Sequence, residues 1–171
     1  MKLLATIRDI DIGSSTEPPS HYEERGASRA VIFDSQKNIA LLHATKKNYH
    51  KLPGGGIEEG EDVETALRRE ALEEIGCYIQ NIRELGVIEE YRNRFSLHQI
   101  SHCFIADLAG EKGAPDLQPG EEIEDGFETI WMELSTAVKT LARESDITYY
   151  EGKFIQKRDL MFLEEAAARN I

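Results

Sequence analysis

Apolar and polar positions change rhythm several times along the chain, and each rhythm predicts an element. Apolar-rich runs at residues 27–33 and 38–43 flank the polar stretch Asp34, Ser35, Gln36 and Lys37, which predicts two strands joined as a hairpin. Residues 45–50 form a polar connection. Gly54, Gly55 and Gly56 follow Leu52 and Pro53 and predict a loop with wide backbone freedom. Asp62 suits an N-cap, residues 63–75 carry apolar side chains at helical spacing, and Gly76 suits the position just past a helix end. Residues 82–95 and 97–108 predict a second strand pair, 110–120 a loop rich in Gly and Pro, and 127–134 a further strand. Helices are predicted over 136–143 and 153–169, the second with Leu160, Phe162, Leu163, Ala166 and Ala167 near helical spacing. Pro18 and Pro19 forbid helix in the loop-like stretch 11–20, so residues 1–20 are expected to form an irregular N-terminal extension. Strands on either side of a helix, with closing helices, predict an α/β fold: an α/β/α sandwich around a mixed β-sheet.

A length of 171 residues fits a single domain spanning residues 1–171. No apolar run is long enough to cross a membrane, and Arg8 and Asp9 interrupt the aliphatic start too early for a secretory signal, so a cytoplasmic location is expected. Cys77 and Cys103 are accordingly expected to be reduced and buried. The net charge of −12, from 32 acidic and 20 basic residues, argues against a broad nucleic-acid surface. A small anionic substrate is still compatible with it, because clustered carboxylates hold divalent metal and the metal attracts phosphate.

The charge pattern becomes specific on the helix at 63–75. At about 100° per residue, Val63, Ala66, Leu67, Ala71 and Ile75 share half of the helical wheel, the half expected to face the core. Glu70 and Glu74 fall within that half, and Glu73 lies at its edge. A solvated charge run would put its acids on the other side. Burying carboxylates close together costs several kcal/mol each unless something positive compensates. A divalent cation with oxygen ligands would do so; ion pairing to Arg68 and Arg69 on an ordinary acidic helix is the alternative.

Residues 55–77 then supply a fuller pattern: Gly55, Glu61, Arg69, Glu70, Ala71, Glu73, Glu74, Gly76 and Cys77. This resembles the signature of the Nudix hydrolases at every fixed position, with Ala71 and Cys77 small for the apolar places; Leu52, Pro53 and Gly54 also look like that family's approach to the loop. The resemblance implies a Nudix-like sandwich that hydrolyses a pyrophosphate bond in a nucleoside diphosphate linked to another moiety, with Mg²⁺ or Mn²⁺ as cofactor. It implies that Glu73 and Glu74 are the principal metal ligands, Glu70 a further ligand or base, and the Gly54 carbonyl a backbone ligand. Glu61 and Arg69 would brace the loop against the helix, a role suited to the planar guanidinium fork. It also implies that the base can come from a later loop, where Glu121, Glu122 and Glu124 are candidates and Glu124 is preferred.

Arg25, Arg29, Tyr91 and Arg92 are candidates for substrate contact, as are Tyr49, His98 and His102; a surface or structural role is at least as common for such residues. Tyr149, Tyr150, Lys153 and Arg158 could wall a pocket or simply pack the last helix onto the sheet. The partner is expected to be a small nucleotide-like molecule: a modified nucleoside triphosphate, ADP-ribose or a dinucleoside polyphosphate, with an RNA 5′-triphosphate end disfavoured by the acidic surface. No membrane partner is expected, and a homodimer is compatible with the family. The rival reading is a non-catalytic nucleotide-binding or sensor module on the same fold, against which stands the retention of Glu70, Glu73 and Glu74.

Overall fold

A computed structural model describes residues 1–117 and 121–169. Strand β2 (Glu23–Phe33) is its spine. Side chains alternate along it, so Val31 and Phe33 enter one core cluster while Ala30 and Ile32 enter another on the opposite face. Strand β7 (Leu97–Ala109) runs parallel to β2 along its full length, from Glu23↔Leu97 to Phe33↔Asp107. Strand β6 (Tyr78–Arg92) pairs antiparallel with β7, and β1 (Leu3–Arg8) adds parallel to β6 at the outer edge. On the other side, β3 (Asn38–Ala44) meets β2 at Phe33↔Ile39 and then diverges to pair with β4 (Tyr49–Lys51) and β8 (Phe127–Glu133). Below that divergence β5 (Gly54–Gly56) takes β2's free edge, from Ala27↔Gly56 to Arg29↔Gly54.

Helix α1 (Val63–Ile75) covers one face of this mixed sheet with Leu67, Ala71 and Ile75. The other face is covered by α3 (Leu134–Arg143) and α4 (Tyr150–Ala168), through Ala137, Leu141, Phe154, Phe162, Leu163 and Ala166. A short turn of helix, α2 (Glu121–Glu124), leads into β8. The sandwich is the one the sequence predicts. No helix among the described residues is long and apolar enough to cross a membrane.

Three expectations need correction. Residues 1–20 are not irregular throughout: Leu3–Arg8 is a sheet strand with Ile7 buried, its pairing partner lying some eighty positions along the chain. The glycine run is not a free loop but a strand, held by backbone pairing that leaves no side-chain signature. Tyr49 and His50, assigned to a connection, already belong to β4. The predicted loop at 110–120 has neither helix nor strand over 111–117, and residues 118–120 lie outside those described.

Candidate active site

Local chemistry fixes α1 at both ends. Asp62 accepts a hydrogen bond from the Thr65 amide at 2.7 Å, and Gly76 adopts the left-handed conformation beyond the last turn. The helix is thereby set with Glu70 and Glu74 on its buried face, 6% and 1% exposed, as its periodicity predicts. Glu73 stands at the margin, partly exposed.

Arg69 organises these acids. Its Nε and Nη2 donate to the two oxygens of Glu61, each at 2.9 Å, and Nη2 also donates to the Gly56 carbonyl at 2.9 Å. Its Nη1 donates to Glu70 at 2.8 Å and to Glu73 at 3.1 Å. Arg69 thus joins Glu61, in the loop before α1, and Gly56 of the glycine strand to the helix, the contacts a brace would need. Hydrogen bonds from Arg69 hold the Glu61 carboxyl down to about 2.

Glu74 meets the same strand from the other side. It accepts from the Gly54 amide at 2.5 Å and pairs with Lys51 Nζ at 2.8 Å. The Gly54 carbonyl accepts a 2.7 Å bond from Arg29 Nη1, which occupies one of its lone-pair directions. Glycine is required here: Gly54 has φ +132°, and a Cβ on it would lie 2.2 Å from the Ser28 carbonyl oxygen. A Cβ on Gly55 would fall 2.4 Å from a Glu70 carboxylate oxygen, so the bare backbone makes room for that acid. Burial, together with the neighbouring charge of Glu74, pushes the Glu70 carboxyl up despite Arg69.

These groups form one wall of a cavity of about 250 Å³. Arg25 lines its rim, and Arg29, Arg92 and Arg158 from β2, β6 and α4 also line it. Arg92 pairs with Glu90 at 2.9 Å and Glu151 at 2.6 Å; Arg158 pairs with Asp159 at 2.7 Å and Glu90 at 3.3 Å. Burial alone would push the Glu90 carboxyl up, but Arg158 and Arg92 outweigh it and hold it low. Asp159 also accepts from the Leu52 amide at 2.9 Å, which ties α4 to the segment leading into the glycine strand.

The structure thus gathers Gly54, Glu70, Glu74, Arg25, Arg29 and Arg92 in one place, with Glu73 at its edge. Arg158, one of several residues that the sequence offers as pocket wall or packing, proves to be a buried member of the cavity. Its signal was available: it lies four residues from Phe154 and from Phe162, so a charge sits on the apolar stripe. Tyr91 is not brought in. Alternation along β6 turns it away from Arg92, and its ring stacks on His98 at 4.3 Å with Arg8 above. Glu124 is exposed and does not line the cavity, although its carbonyl accepts from Lys46. The side chains of Glu121 and Glu122 lie outside those described. Tyr150 is structural, donating to Asp9 at 2.7 Å and fastening α4 to the turn after β1.

Among the described residues no three acidic, histidine or cysteine side chains converge on one point; Glu70 and Glu73 are bridged by Arg69, and Glu74 turns to Lys51 and the Gly54 amide. The donor set nevertheless fits a hard divalent cation: three carboxylates of one helix end and a glycine carbonyl, all oxygen, against a backbone with no Cβ in the way.

A NUDIX domain profile matches residues 23–152. The chain is 25% identical over 151 residues to the CMP-5'-(N-acetyl-N-hydroxy-3-aminopropyl)phosphonate hydrolase of Streptomyces rubellomurinus, covering 85% of this chain and 70% of that protein. It is 51% identical over 67 residues to an RNA pyrophosphohydrolase of Sulfurovum sp., a match covering 36% of this chain and 41% of that one. A NUDIX hydrolase from Nitrosomonas europaea has a similar fold, with TM-score 0.65 and 16% identity over 85% of this chain and 90% of that one.

Proposed function

The chain belongs to the NUDIX family, and on that premise we propose that it hydrolyses a pyrophosphate bond in a nucleoside diphosphate linked to another moiety, with Mg²⁺ or Mn²⁺ as cofactor. The observation that carries this reading is the approach of Glu70 and Glu74, both buried, to the Gly54–Gly56 backbone from the core-facing side of α1. Arg69 and Lys51 partner these acids, yet two buried carboxylates gathered at one bare backbone strand are a pointer to function, and a cation-holding site gives them a use.

Glu70, Glu73, Glu74 and the Gly54 carbonyl would hold the metal. Bound there, it supplies positive charge against the charge that builds on phosphoryl oxygens as the anhydride opens. Arg69 orients Glu70 and Glu73 while anchoring the glycine strand through Glu61 and Gly56. Glu70 is the favoured base for the attacking water, because its carboxylate lines the cavity beside the bare backbone of Gly55. Glu124 is the second choice, since it would have to turn inward from an exposed position. Arg25, Arg29 and Arg92 face the substrate's phosphates from the cavity; Tyr91 has no such position. The substrate is a small nucleotide-like molecule.

The test is Glu73→Gln in a nucleotide screen scored for phosphate after a coupled phosphatase. Metal-dependent turnover should fall to background with the circular dichroism spectrum unchanged. Undiminished turnover would remove Glu73 from the ligand set, and wild-type nucleotide binding without turnover in millimolar Mg²⁺ would favour a sensor over an enzyme.

A further inference from the structure

Arg29, Arg92 and Arg158 are 6%, 2% and 0% exposed, and all three line the same cavity. Each leaves one guanidinium nitrogen without a hydrogen-bond partner: Arg29 Nε, Arg92 Nε and Arg158 Nη2. Buried N–H groups are nearly always satisfied, so three orphans around one cavity point to an acceptor that the chain itself does not provide.

The acids nearby are already committed. Glu90 divides its two oxygens between Arg92 and Arg158. Asp159 gives one oxygen to Arg158 and the other to the Leu52 amide. Arg29 makes no ion pair among the described residues; its hydrogen bond goes to the neutral Gly54 carbonyl. Burial, and then the charge of Arg158, pull its pKa down to about 10, so it remains a cation in a place that disfavours one.

The cavity's size and lining narrow what could supply the missing acceptors. At about 250 Å³ it lies below the roughly 300–1,000 Å³ usual for sites that enclose a drug-sized ligand. Its apolar lining is confined to Tyr49, Phe127 and Ile155, too little to hold a nucleobase on both faces. Each orphaned guanidinium N–H can donate a charge-assisted hydrogen bond to one phosphate oxygen. The cavity also shares Gly54, Glu70 and Glu74 with the cleavage site, so a phosphate seated there is continuous with the bond to be cut.

We infer that Arg29, Arg92 and Arg158 form a seat for the terminal phosphate of a triphosphate chain, and that the substrate is a nucleoside triphosphate rather than a molecule with a bulky group at each end of its pyrophosphate. This rests on the pyrophosphohydrolase reading above. The nucleoside stays outside the seat. Water's oxygen bonds to an anhydride phosphorus, its proton passes to the carboxylate base, the bridging P–O bond breaks, and the seated end leaves as inorganic phosphate or pyrophosphate. The acidic surface selects a free nucleotide over an RNA 5′-end of the same chemistry.

Isothermal titration of inorganic pyrophosphate into the full chain in EDTA isolates the seat from any metal. The wild type should bind one equivalent, and Arg29→Gln and Arg92→Gln should each weaken binding roughly tenfold or more while keeping the wild-type circular dichroism spectrum. No binding by the wild type, or equal affinity in both folded variants, would overturn the seat. With Mg²⁺, kcat/KM for nucleoside triphosphates should exceed that for ADP-ribose and for diadenosine tetraphosphate, and Arg29→Gln should raise KM more than it lowers kcat. Faster turnover of either two-ended substrate would overturn the substrate class, and faster turnover of a 5′-triphosphate RNA would overturn the preference for a free nucleotide. Pyrophosphate binding with no turnover of any substrate would keep the seat and reject the enzymatic reading.

Discussion

Arg69 holds both carboxylate oxygens of Glu61 at 2.9 Å while its Nη1 donates to Glu70 and Glu73. One guanidinium therefore sets the shape of the glycine strand and the direction of two acids at once. An ammonium offers no fork, so Arg69→Lys should uncouple the two tasks. Turnover is expected to drop by roughly a hundredfold, the scale of a small misplacement of reacting groups. Steady-state kinetics on the best substrate of the screen checks this, and activity within a factor of two of wild type would reject it.

The same pair predicts an acid signature. The Glu61 carboxyl is held down to about 2 from an ordinary 4.5, so the stability it contributes is complete above the ordinary value and is lost as pH falls toward about 2. Calorimetric melting of wild type and Glu61→Gln should show a gap in Tm that is full at pH 7 and shrinks across that window. A gap of constant size from pH 7 to pH 2 would mean that the pair does not titrate as described.

Glu74 separates charge from shape. Glu74→Gln has one acceptor oxygen and can keep either the Gly54 amide or the Lys51 head, so it should fold with a smaller loss than full truncation while Mn²⁺ binding, followed by electron paramagnetic resonance, weakens by an order of magnitude or more. Glu74→Ala strands Lys51 and should destabilise the fold by roughly 3 kcal/mol in urea unfolding. Equal loss of stability in both variants, or undiminished Mn²⁺ binding by Glu74→Gln, would overturn this separation.

The glycines are not equivalent. Gly60 has φ +87° but open space around it, so Gly60→Ala should cost only about 1–2 kcal/mol of backbone strain. Gly54→Ala would drive a methyl group into the Ser28 carbonyl and should separate β5 from β2, with large losses of both Tm and activity. Gly55→Ala meets the Glu70 carboxylate, which can swing aside, so activity should fall much further than stability. Thermal melting and turnover, measured side by side, distinguish the three.

Cys77 and Cys103 are free and buried, and burial pushes the Cys103 thiol far above its usual range. Neither should react with a water-soluble disulfide reagent in the native state, and both should react in urea. Rapid labelling of the folded protein would contradict the packing around them.

The elements legible in the sequence were those whose cause is local. Asp62 and Gly76 bracket α1 by hydrogen bonding and backbone conformation within a few residues, and the wheel placed Glu70 and Glu74 on the buried side because helical geometry alone decides it. What escaped depends on distant partners. Leu3–Arg8 is too short to announce itself without β6, and Gly54–Gly56 has no side chains to display a period. The floor of the cavity unites Arg29, Arg92 and Arg158 from three separate elements, and no spacing in the chain encodes that meeting. Tyr91 and Arg92 are neighbours in sequence yet lie on opposite faces of a strand, so only one of the two reaches the cavity.

The span by which kinship is recognised and the span that fills the core are different lengths of this chain. The family match stops at residue 152, one turn into α4, whereas Phe154, Phe162, Leu163 and Ala166 fill the core beyond it, and β1 precedes residue 23. A fragment cut to the matched residues would bare the sheet face that α4 covers, unpair the outer edge of β6, and remove the Asp159 acceptor of the Leu52 amide. Such a fragment would keep every acid of the signature and should still be inactive, its defect lying in architecture rather than in chemistry.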